Sequence, residues 1–160
     1  VGAGLTAPQG VGFDIGANAM ITSRCRICVG FTLTIRVGPG VGAHAGAGGT
    51  LVISKVGLDG PGWSCGVGGW VAIPPTPESP PFGLSGQIEG NPNGVVGGGG
   101  KGELGVGGQV GIQCTFSCTG CAKVHWLYNP PPAAALQATG DAVKCVRSEL
   151  AKILNAIRSL

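Results

Sequence analysis

From Ile27 to Val37 the chain alternates without a break. Ile27, Val29, Phe31, Leu33, Ile35 and Val37 are apolar, and Cys28, Gly30, Thr32, Thr34 and Arg36 stand between them. A period of two residues over such a length, rich in β-branched side chains, marks a strand with one buried face. The apolar face is the one expected to be buried. A second run, Leu104, Val106, Val110, Ile112, Cys114 and Phe116, is opposed by Glu103, Gly105, Gly107, Gln109, Gly111, Gln113 and Thr115. It predicts a strand or hairpin, bent or bulged at Gly107-Gly108.

Weaker alternations predict strands over 11–21, 41–47, 51–56, 64–73 and 84–89. The turn signals Gly38-Pro39-Gly40, Asp59-Gly60-Pro61-Gly62 and Asn91-Pro92-Asn93-Gly94 separate them. Connections this short join antiparallel neighbours, because parallel pairs need long crossovers. The fold class that follows is mainly β, an antiparallel Gly-rich meander forming a sandwich or small barrel, with one C-terminal amphipathic helix. Glycine at alternate positions adds no side chain to a core, so a Gly-lined face predicts close approach of another element or subunit.

The chain divides into a Gly-rich β domain over 1–128, a Pro/Ala spacer over 129–139 and a helix over 140–160. Asp141 is a suitable N-cap, and Val143, Val146, Leu150, Ile153, Ile157 and Leu160 follow at steps of three and four. This seam is expected to dock on the β domain, with Lys144, Arg147, Lys152 and Arg158 on the other positions. The same pattern, basic on one side and apolar on the other, makes membrane contact through 141–160 an alternative. The Pro-rich stretch over 73–81 predicts an extended surface loop.

Composition excludes several classes. Leu, Ile, Val and Phe supply 41 of 160 residues and charged residues are only 11%, whereas a disordered chain has fewer than about 20% of the former and a high net charge. A net charge of +3 gives no basis for nucleic-acid binding. No apolar run reaches the roughly 18 residues of a membrane helix. An outer-membrane barrel is disfavoured because 5% aromatic residues cannot build two girdles. The start at Val1, without Met, fits a mature product after leader removal.

Seven cysteines in a chain this rich in glycine point to an oxidising compartment, so the expected location is secreted or cell surface. Cys25, Cys28, Cys65, Cys114, Cys118, Cys121 and Cys145 are all disulfide candidates, and the odd number leaves at least one unpaired in a monomer. Residues three apart on a straight strand point to opposite faces, so Cys25/Cys28 and Cys118/Cys121 are expected to bridge elsewhere. The competing reading takes Cys25, Cys28, Cys118 and Cys121 as two knuckles around zinc or an iron–sulfur centre. No cofactor is the favoured expectation.

Other motifs carry less. Gly38-Pro-Gly40-Val-Gly-Ala43 follows a strand but lacks the helix a dinucleotide site needs, and the Gly97–Gly102 run lacks the Ser/Thr of a phosphate loop. A Cys121–His125 pair has no third orienting group nearby, and Glu89 with Glu103 is the remaining carboxylate pair. No catalytic set is assembled from these residues. Trp126, Tyr128, Trp63 and Trp70 are read either as core anchors or as a lipid or carbohydrate contact.

Three functions are consistent with these observations. The first is an extracellular structural or self-assembling subunit stabilised by disulfides, in which open strand edges or the extended 1–10 arm pair with a neighbouring copy. The second is a secreted effector or toxin-like module acting on membranes. The third is a small cysteine-ligated metal-binding protein.

Overall fold

The computed structural model describes residues 1–54, 57–74, 76–78 and 80–160. Seven strands precede a single helix: β1 (Gly2–Thr6), β2 (Val11–Ile21), β3 (Arg26–Val37), β4 (Gly40–Ser54), β5 (Gly60–Ala72), β6 (Phe82–Gly90), β7 (Val95–Lys123) and α1 (Pro131–Arg158). The strands form one sheet in the order β3-β2-β1-β4-β7-β5-β6, and the further pairings β3–β7 and β7–β6 close that order on itself. The chain is mainly β and antiparallel, as alternation and short turns predict.

Several bounds differ from those read in the sequence. The run expected over 103–116 belongs to a strand of 29 residues, and the runs expected from 41 and from 51 join in one strand, β4, as far as Ser54. Val56, the expected end of the second run, lies outside the described residues, as do Pro75 and Ser79 in the expected 73–81 loop. Residues 2–6 are not a free arm, because β1 pairs with β2 on one side and β4 on the other. The β4–β7 register runs unbroken through the expected bulge, pairing Val41 with Gly108 and Gly42 with Gly107. The distortion there is in the backbone dihedrals: Gly42 and Gly107 both have positive φ, 143° and 98°, values that side-chain-bearing residues rarely adopt.

The chain comprises two compact units. Unit 1 is 1–16, 32–57 and 63–116, and unit 2 is 17–31, 58–62 and 117–160.

In unit 1 the expected burial is reversed. Leu33 and Val37 are exposed, whereas Thr34 and Arg36 between them are buried. On β7, Leu104, Val106, Val110 and Ile112 are exposed, while Glu103, Gln109 and Gln113 are buried. The glycines explain why the polar phase faces inward. A Cβ at Gly12 or Gly68 would collide with the Gln109 or Gln113 carboxamide, so the absent side chains are the space that longer polar ones fill. Close approach does occur on the Gly-bearing face, and it is polar side chains that approach.

Unit 2 contains the helix. It begins at Pro131, ten residues before the expected Asp141 cap, so no separate spacer exists. Proline favours the first helical turn, where its missing N–H costs nothing, and Ala133–Ala135 then propagate the helix. The docked stripe is Ala134, Ala138 and Ala142, all fully buried, rather than the predicted seam. Ala134 and Ala138 pack with Ala122, Ile27, Val29 and Val124. Gly120 allows this closeness, since a Cβ there would run into the helix backbone at Ala138 and Ala142. Leu150, Ile153 and Ile157 of the predicted seam are exposed, and Val146 is half-buried.

Candidate functional site: a charged cluster on the buried face of unit 1

Strand pairing brings Asp14 (β2), His44 (β4) and Glu103 (β7) together. His44 Nε2 donates to Asp14 Oδ1 at 3.1 Å, and His44 Nδ1 bonds Glu103 Oε2. The imidazole also lies against the Trp70 ring, with centroids 4.3 Å apart. Arg36 (β3) donates from Nη2 to Asp14 Oδ2 at 3.0 Å and from Nε to Gln113 Oε1 at 2.8 Å. Gln113 in turn bonds Glu89 of β6, whose carboxylate also accepts from Ser64 and Thr115. Buried charges are tolerated only when paired and hydrogen-bonded, and this network supplies both.

The two titratable groups at its centre shift in opposite directions. Burial alone would push Asp14 up, but the His44 hydrogen bond and the charges of Arg36, His44 and Lys101 outweigh it and hold the carboxyl below its ordinary range. Burial alone would push His44 down, but its bonds to and the charges of Asp14 and Glu103 outweigh it and raise the imidazole. The shift favours the protonated imidazole, the form in which both ring nitrogens donate.

The network fills its own space. A cavity of about 20 Å³ remains beside Asp14, Thr34, Arg36, His44, Lys101 and Glu103, room for about one water molecule. Arg36, which lines this cavity, has its Nη1 buried without a hydrogen-bond partner. Both His44 ring nitrogens are taken up by carboxyl groups, Glu103 at Nδ1 and Asp14 at Nε2.

The residues singled out in the sequence are distributed differently. Cys28–Cys121, Cys65–Cys114 and Cys118–Cys145 are disulfides, and Cys25 is an exposed free thiol. Cys25, Cys28, Cys118 and Cys121 therefore do not form a four-thiolate site, because three of them are committed to bridges. Among the described residues no group of three or more His, Cys, Asp or Glu is arranged to hold a metal. Cys121 has no thiol to pair with His125, and Glu89 and Glu103 each have their own partners. Trp70 is a core residue, while Trp126 and Tyr128 are exposed.

Sequence reasoning missed Asp14, Arg36 and His44 as a set. The available signal was phase: each falls on the Gly-bearing alternation of its strand, where a lone charge has no apolar neighbours. Every charged residue described in the unit 1 strands, namely Asp14, Arg36, Glu89, Lys101 and Glu103, lies on the phase opposite to the exposed Ile15, Val37, Ile88 and Leu104 of the same strands. Comparison with known protein families, characterised proteins and solved structures finds no match. Among the described residues no helix is long and apolar enough to cross a membrane. Three disulfides are compatible with an extracellular protein.

Proposed function

We propose that the chain is a secreted, membrane-active protein whose unit 1 lodges in a lipid bilayer through the exposed faces of its strands. One observation carries this reading: within unit 1 all seven strands place large apolar side chains outward, and the charged residues described there lie on the opposite face. Leu5, Phe13, Val41, Val71, Ile88 and Val110 are each more than half exposed, one from each of six strands, and Leu33 of β3 is 42% exposed. Ordinary water-soluble proteins do not cover a sheet this way, whereas lipid-embedded strands have an apolar exterior and a polar interior. Pairing β3 with β7 and β7 with β6 satisfies the backbone groups that lipid cannot. Because hydrogen-bonded side chains occupy the interior, the embedded unit does not conduct ions. The low aromatic content is no obstacle, since girdles accompany such faces but the sign of each face decides the solvent.

The test is reconstitution with phosphatidylcholine vesicles followed by flotation and alkaline carbonate extraction. Retention in the floated fraction supports the reading, and complete release contradicts it. Self-assembly is the second reading, favoured by the same exposed faces, now as lateral contacts since β1 is already paired on both sides. Soluble oligomers of defined size in the absence of lipid would support it.

A further inference from the structure

The most exposed aromatic side chains of the molecule lie together at one turn of unit 2. Trp126, Leu127 and Tyr128 are 80%, 82% and 86% exposed. Such exposure usually accompanies a loose loop, but this turn is held on every side. His125 and Asn129 exchange backbone hydrogen bonds of 2.9 and 2.8 Å. The Leu127 and Tyr128 amides both donate to His125 Nδ1, and the His125 and Tyr128 rings stack with centroids 4.7 Å apart. Asn129 Nδ2 donates to the Lys123 carbonyl and to Gln137 of α1. The turn backbone is thus fixed, and three large side chains project from it into the open.

Basic groups surround its root. The Val124 amide donates to the Cys25 carbonyl, which places exposed Arg24 and Lys123 beside the turn. Unit 2 holds seven of the ten Lys and Arg residues of the chain and only three of its seven Asp and Glu. From this we infer that the 125–129 turn is an interfacial anchor for an anionic bilayer. Trp126 and Tyr128 would sit at headgroup depth with Leu127 between them, and Arg24 and Lys123 would meet the lipid phosphates and carboxylates. Amphipathic rings favour that layer, and each nearby Lys or Arg adds attraction to an anionic surface. Three residues at a tip are too few for a stable protein interface, which needs about 800 Å² per partner. This inference rests on the membrane reading of unit 1, and its test separates the two.

The test measures binding of the whole chain to phosphatidylcholine vesicles with and without phosphatidylserine. Substituting Trp126→Ser, Leu127→Ser and Tyr128→Ser together is expected to weaken binding about a hundredfold, from the lost apolar burial. Arg24→Ala with Lys123→Ala is expected to weaken it about tenfold, on the anionic vesicles only. Headgroup-depth brominated lipids should quench a fluorescence component that Trp126→Phe removes, a measurement that does not depend on the triple variant folding. Retained binding by a folded triple variant, or bound protein without that quenching, overturns the anchor and leaves unit 1 as the lipid-contacting part. Binding that is lost equally on neutral and anionic vesicles in the Arg24/Lys123 variant overturns the electrostatic collar. Failure of the unaltered chain to bind either vesicle overturns both readings.

Discussion

Gly4 and Asp14 are directly paired across β1 and β2, and the side chain that Gly4 lacks is the space the Asp14 carboxylate occupies. A Cβ at Gly4 would also come within 2.6 Å of His44 Nε2. The glycine and the buried ion cluster are therefore one design: the first makes the volume, the second fills it.

Gly4→Ala is expected to destabilise the fold by about 1–3 kcal/mol, the usual cost of overpacking, with displacement of Asp14 from its partners. Gly49→Ala is the control. A Cβ there meets nothing within 4 Å, so the change should be neutral or stabilise by up to about 1 kcal/mol by restricting the unfolded chain. Denaturant titration of both variants checks the contrast. Equal effects would mean that strand glycines act only through backbone entropy.

The cluster also sets a pH dependence. His44 is raised above its ordinary 6.5, so its contribution is complete below that value and is lost as pH rises through the folded-state pKa. Asp14 is lowered below 3.8, so its contribution is complete above that value and is lost as pH falls through the folded-state pKa. Stability should peak in the mildly acidic window between 3.8 and 6.5. In His44→Gln the decline on the alkaline side should flatten. An unchanged alkaline limb in that variant would show that other groups set it.

The helix gives a paired prediction. Ala138 is fully buried within unit 2, so Ala138→Leu should cost about 1–3 kcal/mol or more by overpacking. Leu150 is 53% exposed, and Leu150→Asp should stay within about 0.5 kcal/mol of the parent in detergent-free unfolding. A large cost at Leu150 and none at Ala138 would restore the apolar seam as the docking surface.

How much of this was legible in the sequence depended on which question periodicity answers. Alternation at Ile27–Val37 located β3 and its two faces, because period two is a property of the backbone. It could not say which face was inside, because the room for Asp14, Gln109 and Gln113 is made by Gly4, Gly12 and Gly68 on other strands, a relationship across strands that alternation within one strand does not carry. The helix start was missed for a local reason: Pro130-Pro131-Pro132 reads as a spacer unless proline's preference for the first turn is given weight. Cys28 and Cys121 stand 93 residues apart in sequence, and only the β3–β7 pairing, which no local pattern encodes, brings them together. His44 was visible only as one of two histidines, since its partners Asp14 and Glu103 lie 30 and 59 residues away.

The thiol count provides a chemical check. Alkylation of the denatured, unreduced protein should add one group, at Cys25, and reduction should expose six more. Loss of Cys118–Cys145, which closes a 27-residue separation onto the helix, should lower stability by roughly 3–4 kcal/mol on the chain-entropy account. Seven reactive thiols before reduction would contradict the pairing.

The central claim is that the exposed strand faces of unit 1 meet lipid, and Val110 and Ile112, 63% and 69% exposed on β7, report on it directly. The measurement is retention in phosphatidylcholine vesicles after carbonate extraction, comparing the parent with Val110→Arg and Ile112→Arg. An arginine facing hydrocarbon costs about 2–4 kcal/mol at mid-bilayer depth, whereas an arginine on a water-exposed strand face changes stability by about 0.5 kcal/mol or less. The account predicts that both variants keep their three disulfides yet leave the bilayer, with retention falling at least tenfold. Retention equal to the parent's would show that these faces do not lie in lipid and would contradict the account.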